Sequence, residues 1–224
     1  MMTAFDLNAD SVRALNQALH DSPAGEYSVA NPGGRHCIAC GIDAAVEVSI
    51  DGHVGYYCAG MNKHAQVTVS GNAGPGVAEN IMSGSVRIKG NASQYAGASG
   101  HGGMLIIEGD ASSRCGISMK GVDIVVAGSV GHMSAFMAQK GRLVICGDAG
   151  DFLGDSLYEA CIYVRGSVGE LGADCIEKDM TAEHLRGLGV LLDEAGVDAD
   201  TSEFRRFGSA RKLYNFNVDN ADDY

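Results

Sequence analysis

Seven glycines at a constant interval of nineteen residues constrain the fold of this chain more than any other feature. They are Gly52, Gly71, Gly90, Gly109, Gly128, Gly147 and Gly166. A fixed interval of this length indicates one small structural unit stacked repeatedly. The residues four and two positions before each glycine are always aliphatic, as Val48 and Ile50 are in the first unit. Alternating aliphatic residues followed by glycine and a small polar residue predict a strand and then a turn.

Small residues also dominate the remainder of each unit. The third and seventh residues after the marker glycine are small, as Gly74 and Ala78 are in the second unit, and we expect a second short strand there. Nineteen residues are too few for a strand–helix unit, but they suit one coil of a solenoid whose parallel strands lie about 4.8 Å apart. The sequence therefore predicts an all-β fold, a single-stranded right-handed parallel β-helix of about seven 19-residue coils. A β-sandwich with glycine turns is the alternative, but its strands would vary in length.

The repeat divides the chain into three predicted parts. Residues 1–43 form an N-terminal helix and cap, residues 44–175 the β-helix, and residues 176–224 a helical extension with a tail. Ser11 precedes a helical pattern in the first part, and a second helix is expected from Thr181 to Gly196. Asp200 opens a third, shorter helix that would include Phe204 and Phe207.

The tail carries more apolar side chains than a free chain end should expose, namely Leu213, Tyr214, Phe216 and Val218. We expect these residues to dock on a partner chain, as an added strand or an extended arm. Packing back onto the solenoid is the other destination that the sequence leaves open.

Composition excludes several classes of function. The net charge of −12 disfavours a nucleic-acid partner, which would require a basic face. The sequence has no apolar window of eighteen residues and no leader-like start, so we expect a cytoplasmic protein without a membrane segment. Seven cysteines, an odd number, suit a reducing compartment in which thiols pack as small apolar groups.

The strings Gly71-Asn-Ala-Gly74 and Gly147-Asp-Ala-Gly150, each followed by a further small residue, resemble the GXGXG domain. This domain forms the C-terminal β-helix of the glutamate synthase large subunit and has a relative in formylmethanofuran dehydrogenase. The resemblance covers roughly residues 30–175. A free-standing chain of this size that ends in Arg211-Lys-Leu-Tyr-Asn-Phe-Asn-Val looks most similar to the β-helix subunit of N-methylglutamate synthase.

This resemblance implies a hetero-oligomeric complex that converts methylamine and glutamate to N-methylglutamate and ammonia. The implied partners are a class-II amidotransferase-like subunit and an FMN-barrel synthase subunit. FMN and an iron–sulfur cluster are expected in the synthase subunit, and no cofactor is expected in this chain. The family places no catalytic residue on the β-helix, so the chain is expected to have no active site. A subunit of a glutamate synthase or of a formylmethanofuran dehydrogenase or formyltransferase complex is the alternative.

Cys37 and Cys40 are weak candidates for a metal site. A zinc site usually needs a second pair of ligands, which Cys58, His53 or His64 would have to supply. A cap packed by buried thiols is the simpler interpretation.

Two further patterns require a test against the structure. Asp110 and Asp148 occupy the same turn position two coils apart, roughly 9.6 Å for coils that rise about 4.8 Å. That spacing suits the acid pair of a self-contained β-helix hydrolase or lyase. The string Gly100-His-Gly-Gly103 resembles a phosphate-binding loop but lacks the following helix that such a loop requires.

Overall fold

A single sheet of eleven strands organises the structure, a computed structural model that describes residues 2–211. The strands are β1 (Thr3–Asp6), β2 (Ala24–Ala30), β3 (Ala45–Asp51), β4 (Gln66–Val69), β5 (Ser85–Ile88), β6 (Met104–Ile107), β7 (Lys120–Val126), β8 (Lys140–Ile145), β9 (Cys161–Val164), β10 (Cys175–Lys178) and β11 (Arg205–Ser209). The helices are α1 (Val12–Asp21), α2 (Ala182–Ala195) and a single 3₁₀ turn at Thr201–Glu203. The order in the sheet is sequential from β1 to β9 and then continues with β11 and β10.

The nineteen-residue repeat builds the predicted parallel β-helix, which is confirmed. Strands β3 to β9 pair in parallel, and each residue lies beside its equivalent in the next coil, as Val67, Val86 and Leu105 do. These inward-facing aliphatic residues are fully or almost fully buried. The interior is therefore a stack of like side chains. The inward side chains of each coil are buried because the adjacent coils cover them.

Turns and single bridges occupy the remainder of each coil, where the sequence predicted a second short strand. Six of the eight bridges among the described residues join the residues two positions after the marker glycines, as in Ala73, Ala92 and Ala111. They are isolated, so this second strand was a wrong prediction. A glycine-bounded run of small residues signals close stacking but does not distinguish a strand from a turn.

Left-handed residues alternate along the turn that closes each coil. Tyr95, Gly97 and Ser99 have φ of 64°, 68° and 54°, and the same pattern recurs in later coils. A non-glycine residue in this conformation costs roughly 1–2 kcal/mol. Hydrogen bonds between coils hold it: the Tyr95 N–H donates forward to Ser113 at 3.2 Å, and the Gly97 N–H donates back to Val77 at 2.9 Å.

Helix α1 covers the first coil, and Leu15 and Leu19 are completely buried beneath it. Ser11 is its N-cap, as predicted. The Asn16 amide accepts from the Ala39 N–H and donates to the Cys37 carbonyl, both at 2.8 Å. Side-chain groups thus replace the backbone partners that a preceding coil would supply. Residues 1–43 also contribute β1 and β2, which continue the parallel ladder beyond the predicted repeat.

The opposite end is closed by β11, which inserts antiparallel between β9 and β10. The sequence predicted a short helix that included Phe207, but the helical part is only the 3₁₀ turn capped by Asp200. Phe207 lies in β11 and is buried at 2% exposure, because an antiparallel strand there covers the last coil. The predicted second helix is confirmed as α2, with Thr181 as its N-cap and a left-handed Gly196 at its C-terminus. The predicted docking residues Leu213, Tyr214, Phe216 and Val218 lie outside the described residues.

Candidate interaction surfaces and thiol cluster

Three thiols, those of Cys37, Cys40 and Cys58, approach one another beneath the first coil. Cys40 donates a hydrogen bond from Sγ to the Tyr57 carbonyl at 2.6 Å, and Cys58 is completely buried. Burial, the dominant cause, raises the pKa of Cys40 to about 12 and raises that of Cys58 as well. A metal or iron–sulfur centre requires thiolates, which this environment disfavours.

The remaining candidate ligands do not complete a metal site. His53 and His64 are engaged elsewhere: His53 Nδ1 accepts from the Asn72 N–H at 2.8 Å, and His64 lies beside Asp43. Within residues 2–211, no group of three His, Cys, Asp or Glu side chains is arranged to hold a metal ion. Cys58 packs within the hydrophobic core, whereas Cys37 and Cys40 are half-buried. Three cysteines without a fourth ligand among the described residues do not fit an iron–sulfur cluster.

A ladder of polar side chains follows the marker glycines and links each coil to the next. Asn91 Oδ1 accepts from the Asp110 N–H at 2.9 Å, and Asp110 Oδ1 accepts from the Ser129 N–H at 2.7 Å. The ladder continues through Ser129 to Asp148, whose Oδ1 accepts from the Ser167 N–H at 2.7 Å. That backbone hydrogen bond is the main reason that the pKa of Asp148 lies below its ordinary value.

Asp110 and Asp148, the two acids whose spacing suggested a hydrolase, therefore have a structural role. Each holds a backbone N–H of the following coil and stays exposed on the surface. A general acid would need a raised pKa, and the pKa of Asp148 is lowered. The ladder stabilises the stack, and the lowered pKa of Asp148 does not suit it to act as the acid of such a pair.

The marker glycines are packed against the backbone of the preceding coil. A Cβ built on Gly109 would lie 2.8 Å from the Gly90 carbonyl oxygen and closer still to Asn91 Oδ1. The equivalent atom on Gly128 would lie 2.7 Å from the Gly109 carbonyl oxygen. Close coil-to-coil contact, rather than ligand binding, thus explains the glycine column.

The phosphate-loop pattern does not form an anion site either. The His101 N–H donates to the Ile81 carbonyl at 2.7 Å, and the Gly102 N–H is directed to the same oxygen at 3.4 Å. After this loop the chain enters β6 rather than a helix. The amides of Gly100, His101 and Gly102 thus already donate to carbonyl groups within the stack.

Helix α2 covers the outer face of the sheet over its C-terminal half. Leu188, Leu191 and Leu192 pack on the outward side chains of β6 to β9, among them Val125 and Val144. Each fully buried leucine of this kind contributes about 1.5–3 kcal/mol. Sequence analysis missed this surface, although the signal was available. At one outward position, where β3 to β5 carry Ser49, Thr68 and Arg87, strands β6 to β9 carry Ile106, Val125, Val144 and Tyr163.

Two arginines anchor α2 to the sheet. Arg142 donates to both carboxylate oxygens of Asp123, at 2.7 and 2.6 Å, and to the Gly187 carbonyl at 3.2 Å. Arg87 donates to the Ala195 carbonyl at 2.8 Å, at the C-terminal end of α2. The Asp123 hydrogen bonds are the main cause of the raised pKa of Arg142. Arg87 thus binds a carbonyl of the last helical turn, which the helix itself leaves unpaired, whereas Arg142 contacts a carbonyl in the interior of α2.

The N-terminal half of the same face, on β1 to β4, is uncovered among the described residues. It forms an open groove of about 570 Å³ with a floor of small side chains that includes Ser28, Ser49 and Thr68. Asp6 and Asp51 lie along its edge, and each accepts a side-chain hydrogen bond, from Asn31 and Ser70 respectively. The groove is lined by serine and threonine hydroxyls, by acids and by Lys89, and no histidine or cysteine is among its lining residues.

Comparison with known proteins gives one relative at high identity. The chain is 62% identical over 228 residues to protein GlxC of Rhizobium meliloti strain 1021, and the alignment covers all of both chains. The fold of the present chain is similar to that of a chain in the crystal structure of the formyltransferase/hydrolase complex FhcABCD of Methylorubrum extorquens with methylofuran, with a TM-score of 0.66. That likeness covers 85% of this chain and 75% of the other at 21% identity, so it supports the fold. No protein-family model matches the chain. No helix within residues 2–211 is long and apolar enough to cross a membrane.

Proposed function

Because the chain belongs to the glutamate synthase-like GXGXG family, together with protein GlxC, we propose that it is the non-catalytic β-helix subunit of an N-methylglutamate synthase. In this proposal it braces an amidotransferase-like subunit against a synthase subunit that carries FMN and an iron–sulfur cluster. The complex would convert methylamine and glutamate to N-methylglutamate and ammonia. This chain contributes shape and spacing to the reaction rather than reacting groups.

The observation that carries the proposal is that the repeated polar side chains bind backbone amides of the neighbouring coil. Asp110 and Asp148, the acids best placed for catalysis, are bound to backbone amides of the following coil. The half-buried thiol of Cys40 and the buried thiol of Cys58 both have raised pKa values. The main structural feature that supports a scaffold role is the stack of in-register parallel strands. It is stiff along its axis and presents extended rows of side chains for large interfaces.

The test is reconstitution of the complex with and without this chain. We expect the chain to co-purify with two larger subunits and methylamine-dependent N-methylglutamate formation to require all three. Flavin absorbance should follow the synthase subunit, and the isolated β-helix chain should bind none. Flavin or iron bound stoichiometrically to the isolated chain would contradict the proposal.

Point variants separate a scaffold from a self-contained enzyme. Asp110→Asn and Asp148→Asn each keep a side-chain oxygen that can accept the coil-to-coil hydrogen bond, so turnover of the complex should be unchanged. Loss of activity in a folded, fully assembled complex would favour the hydrolase or lyase alternative. Partners that carry a dinuclear metal or a molybdenum or tungsten pterin, without flavin, would instead assign the chain to a formyl-transfer type of complex.

A further inference from the structure

One edge of the solenoid, where the parallel strands begin, carries exposed apolar and basic side chains in neighbouring columns. We define this strand-start stripe by Met82, His101, Lys120, Met137, Lys140 and Tyr158, all of which are exposed. Met137 is 50% and Tyr158 44% exposed, which is unusual for side chains of this size.

Backbone hydrogen bonds show that the stripe is a continuous surface. Met82, His101, Lys120 and Tyr158 occupy equivalent positions in their coils, and each donates its N–H to the residue twenty positions earlier. Lys140 pairs with Lys120 across β7 and β8. From Tyr158 to Met82 is four coil spacings, about 19 Å.

The described chain ends at the head of this stripe. Strand β11 runs antiparallel to β9, so it delivers the chain to the edge where the parallel strands begin. There Arg211 forms an ion pair with Asp174, and the Ala210 N–H donates to the Asp174 carbonyl at 2.7 Å. The neighbouring Ala173 accepts from the Ser156 N–H at 3.1 Å, which places Arg211 one coil beyond Tyr158.

Residues 212–224 are long enough to span the stripe and match it in chemistry. Thirteen residues reach at most roughly 43–47 Å, more than twice the length of the stripe. After Lys212, the segment carries Leu213, Tyr214, Phe216 and Val218 in its first half, and Asp219, Asp222 and Asp223 precede Tyr224 in its second half. The stripe likewise begins beside Arg211 with Tyr158 and Met137 and continues to the basic residues Lys120 and His101.

The electrostatics of the stripe favour an acidic occupant. Within the described part of the chain, neither Lys120 nor Lys140 forms an ion pair. The exposed Glu159 lies beside Tyr158, at the end of the stripe next to Arg211. In the sequence, the basic residue Lys212 directly follows Arg211. A chain that carries a net charge of −12 thus keeps unpaired cations where its own acidic segment can reach them.

We propose that residues 212–224 dock along the strand-start stripe of the same chain and cover its methionine and tyrosine side chains. Of the two destinations left open by the sequence, this assigns the solenoid rather than a partner. The apolar residues would pack on Tyr158 and Met137, and the acids would approach the lysines and His101. The surface that the isolated chain presents would then differ from the one that the stacked coils alone expose.

Photo-cross-linking of the isolated full chain tests the proposal. p-Benzoylphenylalanine replaces Phe216 in an equal mixture of ¹⁴N- and ¹⁵N-labelled chains, and mass spectrometry identifies the products. We expect cross-links within one isotopic chain, to peptides that contain Met137 or Tyr158. Cross-links only between differently labelled chains would assign the segment to a second copy and overturn the proposal. Cross-links elsewhere on the chain, or formed only with an added partner subunit, would overturn it too.

A pair of surface variants provides the control. Met137→Glu should reduce the cross-link yield several-fold, because it places an acid in the path of the acidic segment. Val190→Glu makes the same kind of change at a site on α2 that is 56% exposed and lies off the stripe, and it should have no effect. Equal yields in both variants would refute docking on the stripe.

Methionine oxidation gives a second, independent measurement without a cross-linker. A chain that ends at Arg211 should react with peroxide several-fold faster at Met137 than the full chain does. Met2 is 59% exposed directly before β1 and serves as the internal control, with the same rate in both chains. Equal rates at Met137 would show that residues 212–224 leave the stripe uncovered, contrary to the proposal.

Discussion

Gly109→Ala tests the steric basis of the coil stack with the addition of one methyl group. The Cβ of the new alanine would lie 2.8 Å from the carbonyl oxygen of Gly90 and 3.0 Å from its carbonyl carbon. Both are backbone atoms of the preceding coil, so no side chain can rotate away to relieve the contact. The coils must separate locally, and Gly109 donates to Gly90 at 3.1 Å and accepts from Gly128 at 3.0 Å.

The expected loss of stability follows from these contacts. Overpacking in a close-packed region costs about 1–3 kcal/mol. Weakening of the two backbone hydrogen bonds that flank Gly109 adds roughly 0.5–1.5 kcal/mol for each. The alanine recovers at most about 1 kcal/mol by restricting the unfolded chain. We therefore expect a net destabilisation of about 3 kcal/mol, because a central coil contributes two interfaces to the stack.

Urea unfolding followed by circular dichroism measures this loss. With a slope of about 2–3 kcal/mol per molar urea, the midpoint should fall by roughly 1 M. The matched control is Gly187→Ala on α2, where the nearest atom to a new Cβ is Arg142 Nη1 at 3.7 Å. That change should be neutral or stabilising by about 0.5–1 kcal/mol. Equal midpoints for the two variants would refute the steric account of the glycine column.

Three further outcomes follow from the contacts described above. The lowered pKa of Asp148 means that its stabilising contribution is present above the pKa of the unfolded chain and is lost as pH falls through the folded pKa. Asp148→Asn should therefore flatten the pH dependence of unfolding below about pH 4, and an unchanged profile would contradict this. Arg142→Met should cost about 1.5–3 kcal/mol in the docking of α2 and speed hydrogen exchange in residues 182–195, whereas unchanged exchange would show that the arginine does not anchor the helix. Asn16→Ala leaves a buried backbone N–H without its partner and should lower the free energy of unfolding by about 1–3 kcal/mol, while the exposed neighbour Gln17→Ala should be neutral.

Helix ends were predictable from the sequence because their signals are local. Ser11 and Thr181 accept hydrogen bonds from N–H groups three residues ahead, and Gly196 supplies the left-handed residue that ends α2. These interactions depend on neighbours within one turn of helix. They are therefore readable without any knowledge of what the helix packs against.

The candidate sites were harder to judge from the sequence because patterns of residue types do not reveal hydrogen-bond partners. Asp110 looks the same in a sequence whether it holds a backbone amide or a substrate. Its contact with the Ser129 N–H settles its role as an acceptor within the stack. Likewise, the burial that raises the pKa of Cys40 comes from packing around the first coil and is invisible in the Cys37–Cys40 spacing.

The sequence by itself determined the coil, its length and its register. Alternating aliphatic residues give each strand one apolar face, and their recurrence every nineteen residues brings like side chains into register in successive coils. Tertiary structure alone decided how the stack ends and what covers it. Insertion of β11 beside β9 depends on backbone groups at the edge of β9, which form hydrogen bonds with a segment that is distant in the sequence. The position of α2 depends on outward apolar residues and on Arg87 and Arg142, contacts that join residues about 45 to 108 positions apart.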